Sequence, residues 1–241
     1  MPGYETKQER VAIPGTGDLI IRSLRDRQQF STALGEAEHD GISPATWPLF
    51  GLLWPSGTHL AARMAARPVH PGEKILEIGC GLALASLVAH RGGADVTASD
   101  CHPLAEAFLT ENQRLNALAP MKYRHGPWAD HDKPEDGGEA SALSSVQGRY
   151  DLIIGSDLLY ERDESGVLAG FIGRHARPDV EVWIVDPDRG NRPAFNRRMA
   201  ALGFTKREER LDRRASTDAP AYKGRILIFR REAAVPAAAA D

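Results

Sequence analysis

The chain has 241 residues, 42% of them hydrophobic and 26% charged, which is the composition of an ordinary globular protein with a sizeable core. Its formal net charge is −3, and acidic and basic residues interleave over residues 206–210, so we expect no nucleic-acid partner. The sequence has neither an apolar run of about 18 residues nor the apolar core of a signal peptide, which argues against a membrane partner. Cys80 and Cys101 lack a zinc-type spacing and predict two reduced thiols in a cytoplasmic protein, with no metal site.

The first 45 residues are polar and weakly periodic, and we interpret them as a lead-in segment to one main domain over residues 46–231. Within the lead-in, only residues 19–21 predict a strand, because they follow a glycine turn signal. An apolar, aromatic connection over residues 46–55 comes next. Ser56 is then expected to cap a helix over residues 57–66.

From residue 74 onward, short apolar strands alternate with helical patterns. Strands are predicted at residues 74–78, 95–99, 151–156 and 180–185, with a weaker one near 121–125. Helices are predicted at residues 84–90, 103–116 and 192–202, and a closing strand pair at 204–208 and 225–229. This order predicts an α/β fold with a Rossmann-like, doubly wound, mostly parallel sheet and a reversed edge strand near the C-terminus. Residues 129–148 predict a mobile surface loop, and residues 232–241 a disordered tail.

The strongest local signal for a binding site is a strand, a Gly-x-Gly turn and a helix start over residues 75–83. Gly79 and Gly81 let the backbone turn sharply and approach a ligand closely. Glu77 comes just before the turn, and Asp100 ends the next strand, where a ribose hydroxyl would need an acceptor. A Gly-x-Gly alone is explained equally well by a tight strand–helix turn.

The acidic residue beside this turn bears on the type of ligand. The pyrophosphate of a dinucleotide binds at a helix N-terminus, and Glu77 would repel it. S-adenosylmethionine has a cationic amino group and no phosphate, and therefore suits the turn better. An NAD-dependent oxidoreductase is an alternative, but it would favour a third glycine where Leu84 stands.

Glu77, Gly79, Gly81 and Asp100 together resemble the first two motifs of the class I, seven-stranded S-adenosylmethionine-dependent methyltransferases. The resemblance covers residues 42–230 and implies that S-adenosylmethionine is the cofactor. In that family, the two glycines would cradle the methionine part of the cofactor, Glu77 would lie near its ammonium group and Asp100 would bind the ribose hydroxyls. The sequence departs from the family at Ala83, where many members have a third glycine.

Further segments resemble one branch of this family, which contains the protein lysine methyltransferases and the nicotinamide N-methyltransferase-like proteins. These segments are residues 54–57, 60–61 and 157–160. By the resemblance, Trp54 would wall the cofactor and Trp128 would lie against its adenine, whereas Asp157 and Tyr160 would shape the acceptor pocket as catalytic residues.

Each of these assignments has a plain structural alternative. Trp54 and Trp128 could be core residues, and Asp157 could be a helix N-cap. Asp186 and Arg189 follow the fifth predicted strand, where they could contact the acceptor or form an Asp–Pro turn, and the sequence favours neither. A protein lysine is the first choice of acceptor. A small-molecule amine and a catalytically silent cofactor-binding module are the alternatives.

Overall fold

The structure, a computed structural model, describes residues 4–29, 42–128, 145–160, 165–215 and 221–233. The strands are β1 (Thr6–Val11), β2 (Leu19–Leu24), β3 (Lys74–Ile78), β4 (Asp95–Asp100), β5 (Lys122–His125), β6 (Tyr150–Ser156), β7 (Ala176–Asp186), β8 (Thr205–Arg210) and β9 (Arg225–Arg231). The helices are α1 (Pro55–Ala65), α2 (Leu84–Arg91), α3 (Ala105–Leu115), α4 (Val167–His175) and α5 (Arg192–Ala201). A 3-10 helix, Trp47–Gly51, precedes α1.

The central sheet of the described segments has seven strands in the order β5-β4-β3-β6-β7-β9-β8. All neighbours from β5 to β7 are parallel, whereas β9 is antiparallel to both β7 and β8. The predicted α/β fold with a reversed strand near the C-terminus is therefore confirmed; the reversed strand is β9, and β8 lies outside it at the edge. The strand order turns back between β3 and β6, so ligands are expected at the carboxyl ends of these two strands.

Alternate residues of the central strands face two layers of apolar core, as the two-residue period of a strand requires. Ile75 and Ile154 belong to the core shared with α1, α2 and α3, whereas Leu76 and Ile153 belong to the core shared with α4 and α5. Because both faces are buried, these strands are nearly continuous apolar runs. This is why the sequence predicts the bounds of β3 and β6 to within one residue.

The N-terminal strands β1 and β2 form an antiparallel hairpin that packs on α3. The backbone amides of Ile20 and Arg22 donate to Asn116 Oδ1 and Asn112 Oδ1, at 2.8 and 2.7 Å. The two asparagine side chains thus satisfy the edge of β2 that faces away from β1. The sequence predicts part of β2 but not β1, because Val11 is the one apolar residue in that strand.

Two predictions about helices are wrong. Ser56 does not cap α1, because the helix already begins at Pro55 and its N-cap residue is Trp54, with no side-chain hydrogen bond. The Ser56 hydroxyl is instead hydrogen-bonded to the Tyr222 hydroxyl at 2.9 Å. Helix α4 is missed by the sequence, although Leu168, Phe171 and Ile172 follow helical spacing and are buried. Its two glycines, each unfavourable in a helix by about 1 kcal/mol, hide the pattern.

Several expectations fall on residues that the structure leaves undescribed. Most of the loop expected at residues 129–148 and most of the tail expected at 232–241 lie outside the described residues. The boundaries at residues 45 and 231 stay predictions. Within the described part of the chain, no helix is both long and apolar enough to cross a membrane.

Candidate active site

A cleft of about 1010 Å³ opens at the carboxyl ends of the central strands. The residues to which the sequence gives a site role all line it: Trp54, Glu77, Gly79, Gly81, Asp100, Trp128, Asp157 and Tyr160. They come from separate segments of the chain and meet in one place. Their individual roles stay predictions.

Gly79 and Gly81 form the turn between β3 and α2, and both have left-handed φ angles, +55° and +51°. A Cβ atom on Gly81 would lie 2.7 Å from the Phe50 carbonyl oxygen, and one on Gly79 would lie 2.5 Å from Leu158 Cδ2. Both distances are far below van der Waals contact; the backbone of Phe50 excludes a side chain at Gly81, whereas at Gly79 the Leu158 side chain would have to move. The glycines therefore allow the 3-10 helix and Leu158 to close on the turn.

Ala83 occupies the position at which many members of the family have a third glycine. It is the N-cap residue of α2 and has φ +56° and ψ +38°. A left-handed conformation costs a non-glycine residue about 1–2 kcal/mol. The Ala83 methyl group is fully buried in the core, which offsets part of that cost. The turn thus keeps a glycine-like backbone with an alanine in place.

Glu77 is 3% exposed, and its Oε2 accepts hydrogen bonds from the backbone amide and the hydroxyl of Ser86 in α2. Burial raises the pKa of Glu77 to about 7, although the two Ser86 hydrogen bonds lower it; the neighbouring Asp100 carboxylate adds to the rise. A cationic group bound beside Glu77 would favour its ionised form. The site therefore suits an ammonium ligand.

Asp100 is buried at the end of β4 and organises the backbone around the glycine turn. Its Oδ2 accepts a hydrogen bond from the Gly81 amide at 2.8 Å, and its Oδ1 accepts one from the His102 amide at 2.9 Å. Burial raises the pKa of Asp100, and these two hydrogen bonds lower it. Each carboxylate oxygen can accept a further hydrogen bond, as a ribose diol would require.

Trp54 and Trp128 are half-buried, and Trp128 packs against the core shared with α4 and α5. Trp54 Nε1 donates to the Leu49 carbonyl oxygen at 2.9 Å, and the Arg27 guanidinium lies 4.9 Å from the Trp54 ring centroid. Trp128 follows β5, and its carbonyl oxygen accepts a hydrogen bond from Arg174 at 3.0 Å. Both indoles leave part of their surface to the cleft.

Asp157 directly follows β6 and has a left-handed φ of +60°, a conformation that aspartate adopts more readily than most residues. Its Oδ1 lies 2.9 Å from Nη2 of Arg189, and its amide donates to the Val185 carbonyl oxygen at 2.9 Å. Among the described residues the next helix begins at Val167, so the helix-cap interpretation of Asp157 is wrong. The position instead combines an unusual backbone with an ion pair, a combination typical of functional sites.

The second carboxylate oxygen of Asp157, Oδ2, is buried and has no well-formed hydrogen bond with any described residue. Burial raises the pKa of Asp157, whereas the Ser56 hydroxyl and the Arg189 guanidinium lower it. Oδ2 is thus an acceptor with capacity for a donor from a ligand.

Tyr160 lies three residues after Asp157 and is 45% exposed along the cleft. Between them, Leu158 packs over two glycines, since a Cβ on Gly79 or on Gly155 would lie 2.5 Å from a Leu158 methyl group. This packing joins the segment of Asp157 and Tyr160 to the glycine turn. The sequence does not reveal it, because the contact depends on the backbone turn at Asp157.

Arg189 is the most informative residue that the sequence leaves open. Its amide donates to Asp186 Oδ2 at 3.0 Å, which forms the Asp–Pro turn, and its Nη1 donates to the Asp157 carbonyl oxygen at 3.1 Å. The Asp–Pro turn is therefore present, and Arg189 also lines the cleft, where its contact with an acceptor stays a prediction. The strand order could have predicted the contact between Asp157 and Arg189. Because β6 and β7 are neighbouring parallel strands, the residues that follow their carboxyl ends should lie close together.

His102 and the two cysteines also line the cleft. The His102 ring stacks on Phe50 with 3.6 Å between ring centroids, and burial lowers the pKa of His102 to about 3, so the ring is neutral. Neither Cys80 nor Cys101 forms a disulfide with a described residue. No group of three or more His, Cys, Asp or Glu side chains in the described segments could hold a metal ion.

Sequence comparison identifies related methyltransferases. The chain is 26% identical over 184 residues to an electron transfer flavoprotein beta subunit lysine methyltransferase of Xenopus laevis, which covers 75% of the chain and 67% of the relative. The same enzyme of Rattus norvegicus is 27% identical over 68% of the chain and 58% of its own length. A histone-arginine methyltransferase of Rattus norvegicus is 28% identical over 54% of the chain and 56% of its length. The chain thus spans little more than half to two thirds of these relatives. No model of a known protein family matches it.

Solved structures show the same fold. A magnesium protoporphyrin IX methyltransferase of Synechocystis PCC 6803 with bound S-adenosylmethionine has a TM-score of 0.55 at 19% identity, over 73% of the chain and 78% of its own. A methyltransferase of Pyrococcus furiosus has a TM-score of 0.51 at 20% identity, over 70% of the chain and 80% of its own. The seven-stranded sheet, the cleft at its carboxyl edge and these relatives agree with the predicted resemblance: the chain is similar in sequence and in fold to class I S-adenosylmethionine-dependent methyltransferases.

Proposed function

We propose that the chain transfers a methyl group from S-adenosylmethionine to the side-chain amine of a lysine in a protein substrate. The observation that carries this proposal is that Asp157 and Tyr160 line the same cleft as the glycine turn, Glu77 and Asp100. The relatives that methylate a lysine of a protein support the acceptor class. The domain expected over residues 46–231 contains every residue involved.

One part of the cleft would bind the cofactor, and the other would bind the methyl acceptor. The cofactor half consists of Glu77, Gly79, Gly81 and Asp100, flanked by Trp54 and Trp128. The acceptor half consists of Asp157, Tyr160 and Arg189, and the buried Asp186 lies behind it, where it accepts a hydrogen bond from the Arg189 amide.

The cofactor half fits S-adenosylmethionine by its chemistry. When bound, this cofactor supplies an electrophilic methyl group on a sulfonium. The Glu77 carboxylate would receive the ammonium group, and the second lone pairs of Asp100 would receive the ribose hydroxyls. The glycine turn leaves room for the methionine backbone, since no side chain projects from it.

The acceptor half must present a neutral amine in line with the methyl group. A free lysine amine has a pKa of about 10.4, so most of it is protonated at neutral pH and has no lone pair to donate. Removal from water lowers that pKa. Asp157 Oδ2 would accept one N–H of the amine and fix the direction of its lone pair, while Tyr160 contributes its ring or hydroxyl beside it. No general acid is required, because the departing thioether is neutral.

The proposal is tested with radiolabelled S-adenosylmethionine and a cell lysate that contains the natural acceptors. We expect label in at least one protein band, and mass spectrometry of that band should place the added methyl groups on lysine. Label confined to small molecules would replace the protein lysine with a small-molecule amine. Tight binding of the labelled cofactor without transfer to any acceptor would instead favour the catalytically silent module.

The cytoplasmic location stays part of the proposal. The reduced state of Cys80 and Cys101, which form no disulfide with a described residue, agrees with a reducing compartment. Fractionation of cells that express the chain at its natural level tests this location directly.

A further inference from the structure

The ion pair between Arg189 and Asp157 is a feature of the acceptor half that lysine methylation does not by itself explain. The guanidinium holds Asp157 twice, with Nη2 2.9 Å from the carboxylate Oδ1 and Nη1 3.1 Å from the backbone carbonyl oxygen. The Arg189 side chain is 29% exposed and that of Asp157 is 12% exposed. The pair is therefore partly shielded from solvent, where charges interact more strongly than at a surface.

A carboxylate beside the acceptor nitrogen has two opposing effects on methyl transfer. As a hydrogen-bond acceptor it orients the amine, which aids the reaction. As a negative charge it stabilises the ammonium form, which cannot attack the methyl group. An isolated aspartate in this cleft would therefore hold the acceptor well and keep it unreactive.

We propose that Arg189 is a positioning residue that neutralises Asp157, so that a lysine amine bound at Oδ2 is oriented by a hydrogen bond without being kept protonated. The inference rests on the proposed lysine methylation and deepens it. Arg189 touches neither the methyl group nor the acceptor nitrogen in this scheme; it acts through Asp157. Oδ1 is paired with Arg189, whereas Oδ2 has no well-formed hydrogen bond with a described residue, although the Ser56 hydroxyl acts on the same carboxyl; this difference divides the two tasks.

The acidic groups next to the pair are themselves compensated. Asp186 accepts a hydrogen bond from the Arg189 amide and is paired with Arg192 at 3.2 Å. Asp188 is paired with Arg192, and also with Arg210 and Arg225, both at 2.8 Å. Arg189 is therefore the residue whose positive charge compensates the negative charge of Asp157.

The groups that approach from helix α1 and from the segment before β9 carry no negative charge near neutral pH. Burial raises the pKa of Tyr222 to about 12, so its hydroxyl, bonded to Ser56, is neutral. His59 lies against the Tyr222 ring, and burial together with the charge of Arg213 lowers the pKa of His59.

The arrangement also bears on the class of acceptor. A guanidinium has a pKa above about 12 and enters the cleft charged, so it would need a carboxylate that is still free to balance it. The carboxylate of Asp157 is already engaged by Arg189. The acceptor half therefore favours an amine over a guanidinium.

The test compares the pH dependence of kcat in the wild type and in Arg189→Gln, with acceptor and cofactor saturating. We expect the midpoint of the rise in kcat to move up by about one pH unit in Arg189→Gln, because the bound ammonium gains an uncompensated carboxylate. At pH 7 this gives about tenfold slower turnover, which recovers at high pH. Arg189→Lys keeps the charge and should keep the midpoint. Arg210→Gln removes a charge from the same cluster without contact to Asp157, and should leave the midpoint unchanged.

A second measurement does not depend on the acceptor. Titration of Asp157 by carbon NMR in the cofactor-free proteins should give a higher pKa in Arg189→Gln than in the wild type. An unchanged Asp157 pKa overturns the inference, whatever the acceptor is. An unchanged midpoint, or a loss of turnover that is equal at every pH, also overturns it while leaving lysine methylation intact. A wild type that labels no protein contradicts the proposed function instead, and the Asp157 titration then decides the inference alone.

Discussion

In the cofactor half of the cleft, the carboxylates of Glu77 and Asp100 accept hydrogen bonds from backbone amides and a hydroxyl, whereas in the acceptor half Asp157, and Asp186 behind it, are paired with arginines. The largest influences on the pKa of Glu77 and Asp100 include no lysine or arginine of the described segments, although the charge of His125 lowers the pKa of Asp100. Burial raises the pKa of all four carboxyls. One half thus keeps negative charge available for a cationic ligand, while the other is close to neutral.

The substitution with the largest expected effect tests whether the acceptor half contributes to methyl transfer and not to cofactor binding. We expect Asp157→Asn to lower kcat by about 100-fold or more and to leave the Kd for S-adenosylhomocysteine within about twofold, because the amide orients an amine poorly but leaves the cofactor half intact. The measurement combines methyl-transfer kinetics with calorimetry. Asp151→Asn is the matched control, since Asp151 lies at the opposite end of β6 and is ion-paired with Arg177. Full activity in Asp157→Asn would remove the distinction between the halves.

Asp100 tests the cofactor half in the complementary way. Loss of a charge-assisted hydrogen bond costs about 1.5–3 kcal/mol, so Asp100→Asn should raise the Kd for S-adenosylhomocysteine by about 10- to 100-fold. The Gly81 and His102 amides donate to different oxygens of Asp100, so the asparagine keeps one of these two hydrogen bonds and loses the other. Calorimetry gives the Kd, and a melting curve of the ligand-free variant checks folding. An affinity equal to that of the wild type would mean that Asp100 does not contact the ribose.

Glu77 sharpens the comparison through pH. The pKa of Glu77 is about 7 in the ligand-free protein, and the cofactor should bind to the form in which Glu77 is ionised. The cofactor affinity should therefore fall about tenfold for each pH unit below 7, because the ionised fraction of Glu77 falls by that factor. Glu77→Gln should bind more weakly near pH 8 and lose this dependence. Calorimetry across pH 5.5 to 8.5 measures both; a wild-type affinity that is flat over this range contradicts the role of Glu77.

Glu77→Gln should weaken cofactor binding near pH 8, but it should not lower the free energy of unfolding of the ligand-free protein. A folded pKa raised from 4.5 to about 7 means that the contribution of Glu77 to stability is complete below pH 4.5 and is lost as pH rises through 7. Above pH 7 this loss amounts to at most about 3 kcal/mol. Ligand-free Glu77→Gln should therefore be at least as stable as the wild type at pH 8, as denaturant unfolding would measure.

The smallest expected effect concerns the glycine turn. Ala83→Gly relieves the left-handed strain at Ala83 but removes a buried methyl group worth about 0.8 kcal/mol. The two terms nearly cancel, so we expect the free energy of unfolding to change by less than about 1 kcal/mol and the cofactor Kd by less than twofold. Ala117→Gly is the matched control, since Ala117 also has a positive φ but is exposed and away from the cleft. There the strain is relieved without loss of packing, and the variant should be the more stable of the two.

The sequence predicts the cleft residues well for one reason. In a parallel sheet, residues that follow different strands share an edge, so Glu77, Asp100 and Asp157 could be brought together from strand order alone. The contacts among loops are a different matter. The partner of Ser56 is Tyr222, 166 residues away, and the ion pair of Asp157 with Arg189 depends on how two turns fold back. Local patterns carry no information about such distances.

Three non-glycine residues with a positive φ, Ala83, Asp157 and Asp188, follow β3, β6 and β7 at the edge that forms the cleft. At about 1 kcal/mol or more each, their strain takes a noticeable share of the roughly 5–15 kcal/mol by which proteins of this size are stable. A ligand present at 100 times its Kd raises the free energy of unfolding by about 2.7 kcal/mol. Lifetime in the presence of a protease should therefore follow cofactor supply, so that the ligand-free chain is degraded first when S-adenosylmethionine is scarce.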